Sequence, residues 1–366
     1  MIRHLLRFAR RFPIANLGPL WLVSSEPAIR QILASPDYGK GGPWATLAPL
    51  LGEGLILSEG DAHKCQRKQL GGALAERGCA AMEATARQVV SWKANALSMR
   101  PEPFNLAPEM LDLSERVVLR CLFGQDAPAQ LGRHIQAAMR VSYRRMLCAF
   151  AASLVPGLRR VKPSAWERIG RREFELAMAE IRRMVAQLPR PAWLPEEVPP
   201  DQRVDQLVTM YVAATETTAA TLTWMFALLG GISRNNDKFG NLADFDPGKA
   251  IDIPLIAAPP IWFLPRTASR DTLLCYSEGP NARIGREVKA GDTLILLILG
   301  TGAADLAFGY GRRQCIGERF AKMVMRLVLE EFGVRFRLEL QNESSLEKVA
   351  GLTLWPRRAI VKVAGL

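Results

Sequence analysis

A glycine-rich segment around Cys315 has the features that a cysteine needs to act as a thiolate. Residues 308–317 include three glycines, which let a backbone approach something flat and bulky or adopt a positive φ. A helical pattern begins at Glu318, so Cys315 precedes a helix N-terminus, where backbone N–H groups and the helix dipole favour a thiolate. A thiolate there can be the axial ligand of a heme iron and promote O–O cleavage. The alternative for a lone cysteine is a buried, inert thiol in a tight turn.

Polar residues interrupt the longest apolar run of the chain, 205–229. Glu216 and Thr217 lie near its middle, where helix propensity and burial both disfavour them. A threonine hydroxyl can also bond to the carbonyl one turn earlier and loosen the helix. The alternative is that the threonines of this run are small packing residues.

A third candidate group is basic. His63 and Arg67 are four residues apart and share one face of a predicted helix with Asp61 as its N-cap. Such a pair can bind carboxylates. A solvated basic face that also includes Lys64 and Lys68 is the alternative.

The segment at Cys315 matches a specific pattern, Phe-x-x-Gly-x-Arg-x-Cys-x-Gly, with Phe308, Gly311, Arg313, Cys315 and Gly317. This pattern resembles the heme-binding loop of the heme-thiolate monooxygenases, the cytochrome P-450 family. The resemblance implies a heme cofactor, with Cys315 as the proximal ligand of its iron.

Two further segments resemble the same family. Glu216 and Thr217 match its oxygen-activation motif, an acid followed by threonine, and this implies a role in proton delivery; Ala214 stands where the family often has glycine. The segment 60–67 resembles the propionate-binding helix of the family, and 264–268 resembles the strand that supplies another arginine. The resemblance thus implies that four residues bind the heme propionates: His63, Arg67, Arg266 and Arg313.

The chain departs from the family in one motif. A Glu-x-x-Arg pair is expected shortly before Pro259, but Ile253 and Ile256 occupy its positions, with Pro254 between them. Proline disfavours a helix there. The Glu-x-x-Arg at 180–183 is interpreted as a chance match.

The segment that the family places before the cysteine loop, the meander, is reduced to 300–307, and a similar fragment at 244–247 lies on the wrong side of Pro259. These losses predict a loosely held cysteine loop and weak heme retention. A naturally shortened enzyme with a substitute for the pair, a decayed copy, and a sequence that has lost internal segments all fit.

The composition describes one large globular domain over 1–366. Of 366 residues, 49% are hydrophobic and 23% charged, which excludes a disordered chain. The six cysteines lack CxxC spacing and the three histidines lie far apart, so zinc sites and disulfide scaffolds are not indicated. We therefore expect a reducing, cytoplasmic location.

The net charge of +12 suits nucleic acid, an anionic membrane or an acidic protein. Residues 1–11 lack the features of a signal peptide, and a basic amphipathic helix touching a membrane surface is an alternative. The run 205–229 is long enough to span a bilayer, but Glu216 and the threonines favour a helix inside a soluble domain.

The periodicity predicts a mainly α fold with a minor β portion, and the resemblance makes it cytochrome P-450-like with a trimmed proximal region. Helices are predicted at 26–34, 61–70, 75–97, 109–123, 166–188, 205–229 and 318–332, and strands at 20–24, 261–264, 293–299 and 334–340. Gly230-Gly231 is predicted to end the long helix.

The resemblance implies a monooxygenase that oxidises an apolar small molecule, in secondary or lipid-like metabolism. Segments 261–263 and 294–299 are candidates for the substrate side, but apolar runs of this kind are more often core. The resemblance also implies a ferredoxin, flavodoxin or reductase-type electron donor, which could dock at Arg312, Lys322 and Arg326; nucleic acid binding is not expected, and membrane contact would be at most peripheral. A heme enzyme that does not reduce dioxygen (peroxide-using, isomerase or dehydratase) and a degenerate binding protein are the alternatives.

Overall fold

The computed structural model describes residues 2–124, 128–153, 163–191, 193–235, 246–279, 282–341 and 346–365. Helices dominate this part of the chain, as the sequence predicts. They are α1 (Ile2–Arg11), α2 (Glu26–Ala34), α3 (Ala48–Leu51), α4 (Gly60–Leu74), α5 (Glu76–Ser98), α6 (Leu106–Phe123), α7 (Ala129–Ser153), α8 (Arg171–Gln187), α9 (Pro200–Asn235), α10 (Pro247–Ala257) and α11 (Glu318–Gly333).

The strands form small sheets at the margin of the helices. They are β1 (Ile14–Asn16), β2 (Leu20–Val23), β3 (Tyr38–Gly39), β4 (Phe104–Asn105), β5 (Phe263–Ala268), β6 (Thr272–Gly279), β7 (Ala282–Val288), β8 (Thr293–Leu297), β9 (Arg337–Leu340), β10 (Lys348–Ala350), β11 (Leu354–Pro356) and β12 (Ile360–Ala364). The largest sheet has the order β1-β2-β8-β5-β3, in which only the β2–β8 pair is parallel. Antiparallel pairing also joins β4-β12-β9, β10-β11 and β6-β7.

Helix α9 runs through the core and contacts α6, α10, α11 and strand β9. Tyr211 and Phe226 on α9 are almost completely buried, and Phe226 stacks on Phe332 of α11 at a centroid distance of 5.3 Å. The apolar stripe of α11 packs in the same core. Together these contacts fix α9 and α11, the two helices that carry or follow the residues singled out in the sequence.

The predicted long helix extends beyond its expected end. Gly230-Gly231 does not end it, because α9 continues to Asn235. A Cβ atom at Gly230 would lie 2.8 Å from the carbonyl oxygen of Leu338. Gly230 therefore permits close packing of α9 on β9, a role that local sequence does not distinguish from a helix stop.

Two other local predictions were wrong. Asp61 is not the N-cap of α4, because the helix starts at Gly60 and Glu59 is in the cap position. A helix does form before Pro259: α10 includes Pro254 and buries Ala250, Ile251 and Leu255. The Asp246 carboxylate caps it by accepting a hydrogen bond from the Gly248 amide at 2.8 Å. Capping and burial thus outweigh the cost of the internal proline.

Other predicted elements are present with shifted ends. The predicted helix 166–188 is a 3₁₀ segment, Pro163–Arg168, followed by α8. The fragment 244–247 lies partly outside the described residues, and Asp246 in it is the cap of α10. None of the helices within the described ranges is long and apolar enough to cross a membrane.

Candidate functional site

The cysteine loop, residues 308–317, leaves a 3₁₀ turn at Asp305–Phe308 and ends at the start of α11. Gly309 and Gly311 have φ values of 75° and 68°, a conformation that glycine adopts without strain. The Cys315 amide donates a hydrogen bond to the Phe308 carbonyl at 2.7 Å. The glycines thus fold the loop back so that Cys315 lies beside Phe308.

Cys315 presents its surface to a cavity inside the fold. Burial raises the pKa of its thiol, and the backbone amide of Gly317 opposes that rise. The expected stabilisation of a thiolate by the helix N-terminus is therefore outweighed by desolvation in the protein alone. A metal cation removes the thiol proton when it coordinates the sulfur, so the site fits a thiolate ligand in the presence of iron.

Helix α9 forms part of the wall of the same cavity, with Glu216 and Thr217 among the lining residues. The Thr217 hydroxyl donates to the Ala213 carbonyl at 2.7 Å. This is the bond to the preceding turn that the sequence predicts for a threonine in an apolar helix. The two predicted catalytic residues and Cys315 therefore share one cavity.

The Glu216 carboxylate has partners that the sequence did not indicate. The Thr353 hydroxyl donates to Glu216 Oε1 at 2.6 Å, and the indole N–H of Trp355 reaches the same oxygen at 3.3 Å. Trp355 also donates to the Thr353 hydroxyl at 2.7 Å. Thr353 is 1% exposed and lies between β10 and β11. The β10–β11 hairpin therefore fixes the position of the Glu216 carboxylate.

Cationic side chains gather at one edge of the cavity. Arg266 and Arg313 line it, and Arg313 also lines an adjoining pocket with His63 and Arg67. Arg67 donates to the Gln314 carbonyl at 2.7 Å, and Arg313 donates to the Ser58 carbonyl at 2.6 Å and pairs with Glu59. All four predicted propionate ligands thus lie around this edge.

The pKa values at this edge indicate uncompensated positive charge. Burial, with repulsion from Arg313 as the next cause, lowers the pKa of His63 to about 4 and that of Arg266 to about 10. The Nη1 atom of Arg313 is buried and finds no hydrogen-bond partner among the described residues. A buried guanidinium nitrogen without a hydrogen-bond partner, beside the buried cation of Arg266, fits a dianionic ligand such as a heme with its two propionates.

Lys40 is a cation of this edge that sequence reasoning missed. It lines the cavity, donates to the Ile56 carbonyl, and lies 4.9 Å from the ring centroid of Trp44. Burial, then repulsion from Arg266 and Arg313, lowers its pKa to about 7. Only a lone lysine between two glycines marks it in the sequence, so no local signal could have identified it.

Most of the remaining cavity wall is apolar, with Thr218 and Thr221 of α9 as polar exceptions. Among its residues are Trp44, Leu47, Met139, Met210, Ile261, Leu264 and Leu352. Of the two candidate segments for the substrate side, 261–263 contributes Ile261, whereas the residues of 294–299 are buried in and after β8. The segment 294–299 is therefore core, the alternative that the sequence favoured, because β8 lies at the centre of its sheet.

Other predicted residues have structural partners. Gly311 does not line the cavity; a Cβ there would lie 3.1 Å from the Cα of Ala34, at the end of α2. Of the three proposed docking cations, Lys322 pairs with Glu318, and Arg326 pairs with Glu83 and Glu330.

The predicted departure from the family is visible in the fold. Ile253 and Ile256 of α10 occupy the positions expected for the Glu-x-x-Arg pair, with Ile253 against the core and Ile256 43% exposed. The other Glu-x-x-Arg is a surface ion pair of Glu180 and Arg183 on α8, at 2.7 Å. It lies on a solvent-exposed helix face, as a chance match would.

Comparison with known sequences identifies similar proteins. A family model described as "Cytochrome P450" matches residues 300–363, a segment that contains the cysteine loop. Cyclooctat-9-en-7-ol 5-monooxygenase of Streptomyces melanosporofaciens is 25% identical over 88% of this chain and 81% of that protein. A putative cytochrome P450 135B1 of Mycobacterium tuberculosis is 26% identical over 94% of this chain and 84% of that protein.

The fold is similar to solved structures. A six-coordinated cytochrome P450 from Thermus thermophilus superposes with a TM-score of 0.78 and 24% identity, over 99% of this chain and 97% of that one. The similarity extends over nearly the whole length of both chains, so the arrangement of elements is shared. This holds although the segment before the cysteine loop, 300–307, is short.

Proposed function

We propose that this chain is an oxidoreductase of the cytochrome P450 monooxygenase type, that it binds heme through Cys315 and that it oxidises an apolar small molecule. One observation carries this proposal. A single cavity is lined by Cys315, by Glu216 and Thr217, and by the buried cations Lys40 and Arg266.

Each part of the cavity has a distinct task. Cys315 would hold the iron, and Arg266, Arg313, Arg67, His63 and Lys40 would hold the two carboxylates. When bound, heme supplies the activation of dioxygen. The apolar wall, with Trp44 and Leu47 among its residues, binds the substrate and excludes water, and its composition favours a substrate with few polar groups.

Glu216 and Thr217 would supply protons. Thr217 lines the cavity and its hydroxyl donates to the Ala213 carbonyl, and the Glu216 carboxylate accepts from the Thr353 hydroxyl. A carboxylate and a hydroxyl held in neighbouring positions can pass a proton inward. These residues favour the reductive use of dioxygen over the peroxide-using or isomerising alternatives.

The overall reaction defines what else is required. One oxygen atom of O₂ enters a C–H bond of the substrate and the other leaves as water, which consumes two electrons and two protons. The electrons would come from a ferredoxin, flavodoxin or reductase-type donor. The relative from Streptomyces has the alcohol cyclooctat-9-en-7-ol in its name, and we propose a largely apolar, lipid-like substrate for this chain as well.

An absorption spectrum tests the role of Cys315. We expect the reduced carbon monoxide complex of the full chain to show the strongly red-shifted band of a thiolate-ligated heme, and Cys315→Ser to lose it. Cys148→Ser is the matched control, because Cys148 is an exposed cysteine of α7 that does not line the cavity. The same band in wild type and Cys315→Ser would rule out this ligand.

A further inference from the structure

The side chain of Arg30 connects α2 to the segment that leads into the cysteine loop. Its Nη1 donates to Asp305 Oδ2 at 2.8 Å and its Nη2 to Asp305 Oδ1 at 3.0 Å. Its Nε and Nη2 also donate to Glu26 Oε1, at 3.0 and 2.8 Å. The guanidinium carbon lies 5.0 Å from the ring centroid of Tyr310. Arg30 therefore contacts both the turn before the loop and the loop itself.

A short series of backbone contacts connects Asp305 to Cys315. Asp305 begins the 3₁₀ turn that ends at Phe308, and the Phe308 carbonyl accepts the Cys315 amide hydrogen bond. A shift of the turn would thus move the backbone group that holds Cys315.

Helix α2 also touches the loop directly. At Gly311, a Cβ atom would lie 3.1 Å from the Cα of Ala34 and 3.2 Å from the carbonyl oxygen of Leu33. Leu33 is 4% exposed, so the end of α2 is fixed in the core. A rigid element therefore lies behind the loop on the side where Arg30 binds.

The electrostatics of the contact agree with its geometry. Hydrogen bonds to Asp305, then to Glu26, raise the pKa of Arg30, and the Arg30 hydrogen bond lowers the pKa of Asp305. Exposed ion pairs are usually weak. The Arg30–Asp305 pair is bidentate, and the same guanidinium also binds Glu26 and lies over the Tyr310 ring. Arginine pairs are strongest in this geometry.

We propose that Arg30 is a positioning residue that fixes the cysteine loop, in place of the Glu-x-x-Arg pair whose positions Ile253 and Ile256 occupy. The proposal depends on the proposed function only in that Cys315 is taken as the heme ligand. It opposes the expectation of a loosely held loop, which considered the missing pair alone.

Amide hydrogen exchange of the full chain, with and without heme, tests the proposal. We expect Arg30→Gln to speed exchange in 305–317 about fivefold, the effect of losing one strong surface interaction, while α11 exchanges as in wild type. Heme transfer to an excess of a heme-scavenging apoprotein should become faster by a similar factor. Arg183→Gln is the matched control, because Arg183 forms an ion pair of similar length with Glu180 on α8.

A second pair of variants separates positioning from a general loss of stability. Asp305→Asn should reproduce the effect, and the double variant should be little worse than either single one, since both remove the same contact. Arg30→Lys keeps the charge but cannot form the bidentate contact, so its exchange rate in 305–317 should lie between those of wild type and Arg30→Gln. Should Arg30→Gln fail to fold, Asp305→Asn and Arg30→Lys still supply the measurement.

The outcomes are distinct. Wild-type exchange in 305–317 and wild-type heme transfer in both Arg30→Gln and Asp305→Asn would overturn the role of Arg30. Exchange in the heme-free chain needs neither heme nor turnover, so it tests Arg30 even if the protein oxygenates no substrate. Failure of the proposed function would appear instead as an absent thiolate band in the wild type.

Discussion

At the level of single residues, Thr217 makes a structural hydrogen bond and has a proposed role in proton delivery. Its hydroxyl donates to the Ala213 carbonyl while it lines the cavity. Thr217→Ala removes the hydroxyl without adding bulk. We expect product per electron to fall at least about tenfold and peroxide release to rise, because a general acid–base contribution is lost.

The measurement is the ratio of product to peroxide under a constant supply of electrons. Thr223→Ala is the control, since the Thr223 hydroxyl makes the same bond to a preceding carbonyl, Ala219, at 2.8 Å but does not line the cavity. If both variants couple electrons to product as wild type does, protons reach the site by another route.

Thr353 should act through Glu216. Thr353→Val keeps the shape of the side chain but removes the donor to the Glu216 carboxylate, leaving the 3.3 Å contact from Trp355. A hydrogen bond to a charged group contributes about 1.5–3 kcal/mol, so we expect a several-fold loss of coupling. The solvent isotope effect on product formation should change, and Thr353→Ser should restore the wild-type value.

At the level of elements, the sequence predicted most of the long helices in the right order but missed α7, Ala129–Ser153. Periodicity alone indicated α2, α5, α6 and α11, whose observed ends lie within a few residues of the predicted ones. It failed where long-range contacts decide. Pro254 within α10 is tolerated because its helix is capped and buried, and these are features that a local pattern does not contain.

The candidate site divides in the same way. Cys315, Glu216 and Thr217 could be found because each lies in a short pattern with a chemical reason. Lys40, Thr353 and Arg30 could not, because their partners lie far away in sequence: Arg30 and Asp305, for example, are separated by 275 residues.

Gly230 provides a test at the element level. Gly230→Ala would place a Cβ 2.8 Å from the Leu338 carbonyl oxygen, so α9 and β9 would have to separate. Overpacking of this kind costs about 1–3 kcal/mol, which should appear as a lower free energy of unfolding in urea. Gly72→Ala, on α4 with no atom within 4 Å of the added Cβ, should instead leave stability unchanged or raise it by up to about 1 kcal/mol.

For the whole molecule, we expect the cations at the cavity edge to lower the stability of the heme-free fold and to strengthen heme binding. Lys40 has a pKa of about 7 in the fold and an ordinary value of 10.5. Between these two values the unfolded chain binds a proton on Lys40 that the folded chain does not. Stability of the heme-free protein should therefore rise with pH from about 7 to about 10 on account of this residue.

Lys40→Met removes this titration and keeps the apolar stem. We expect the heme-free variant to be more stable than wild type near pH 7, since it has no charged group to bury at this position and no repulsion from Arg266 and Arg313. Its unfolding free energy should also rise less between pH 7 and pH 10. Lys362→Met, at an exposed position on β12, should follow the wild-type pH dependence.

With heme added, we expect wild type to become more stable than Lys40→Met. Two propionates among these cations would compensate the charge that destabilises the heme-free fold, so wild type should bind heme more tightly than Lys40→Met and gain more in melting temperature when heme is added. Urea unfolding at several pH values and a heme titration give the two quantities. Parallel pH profiles together with equal heme affinities would show that Lys40 faces solvent in the folded protein and has no part in holding the cofactor.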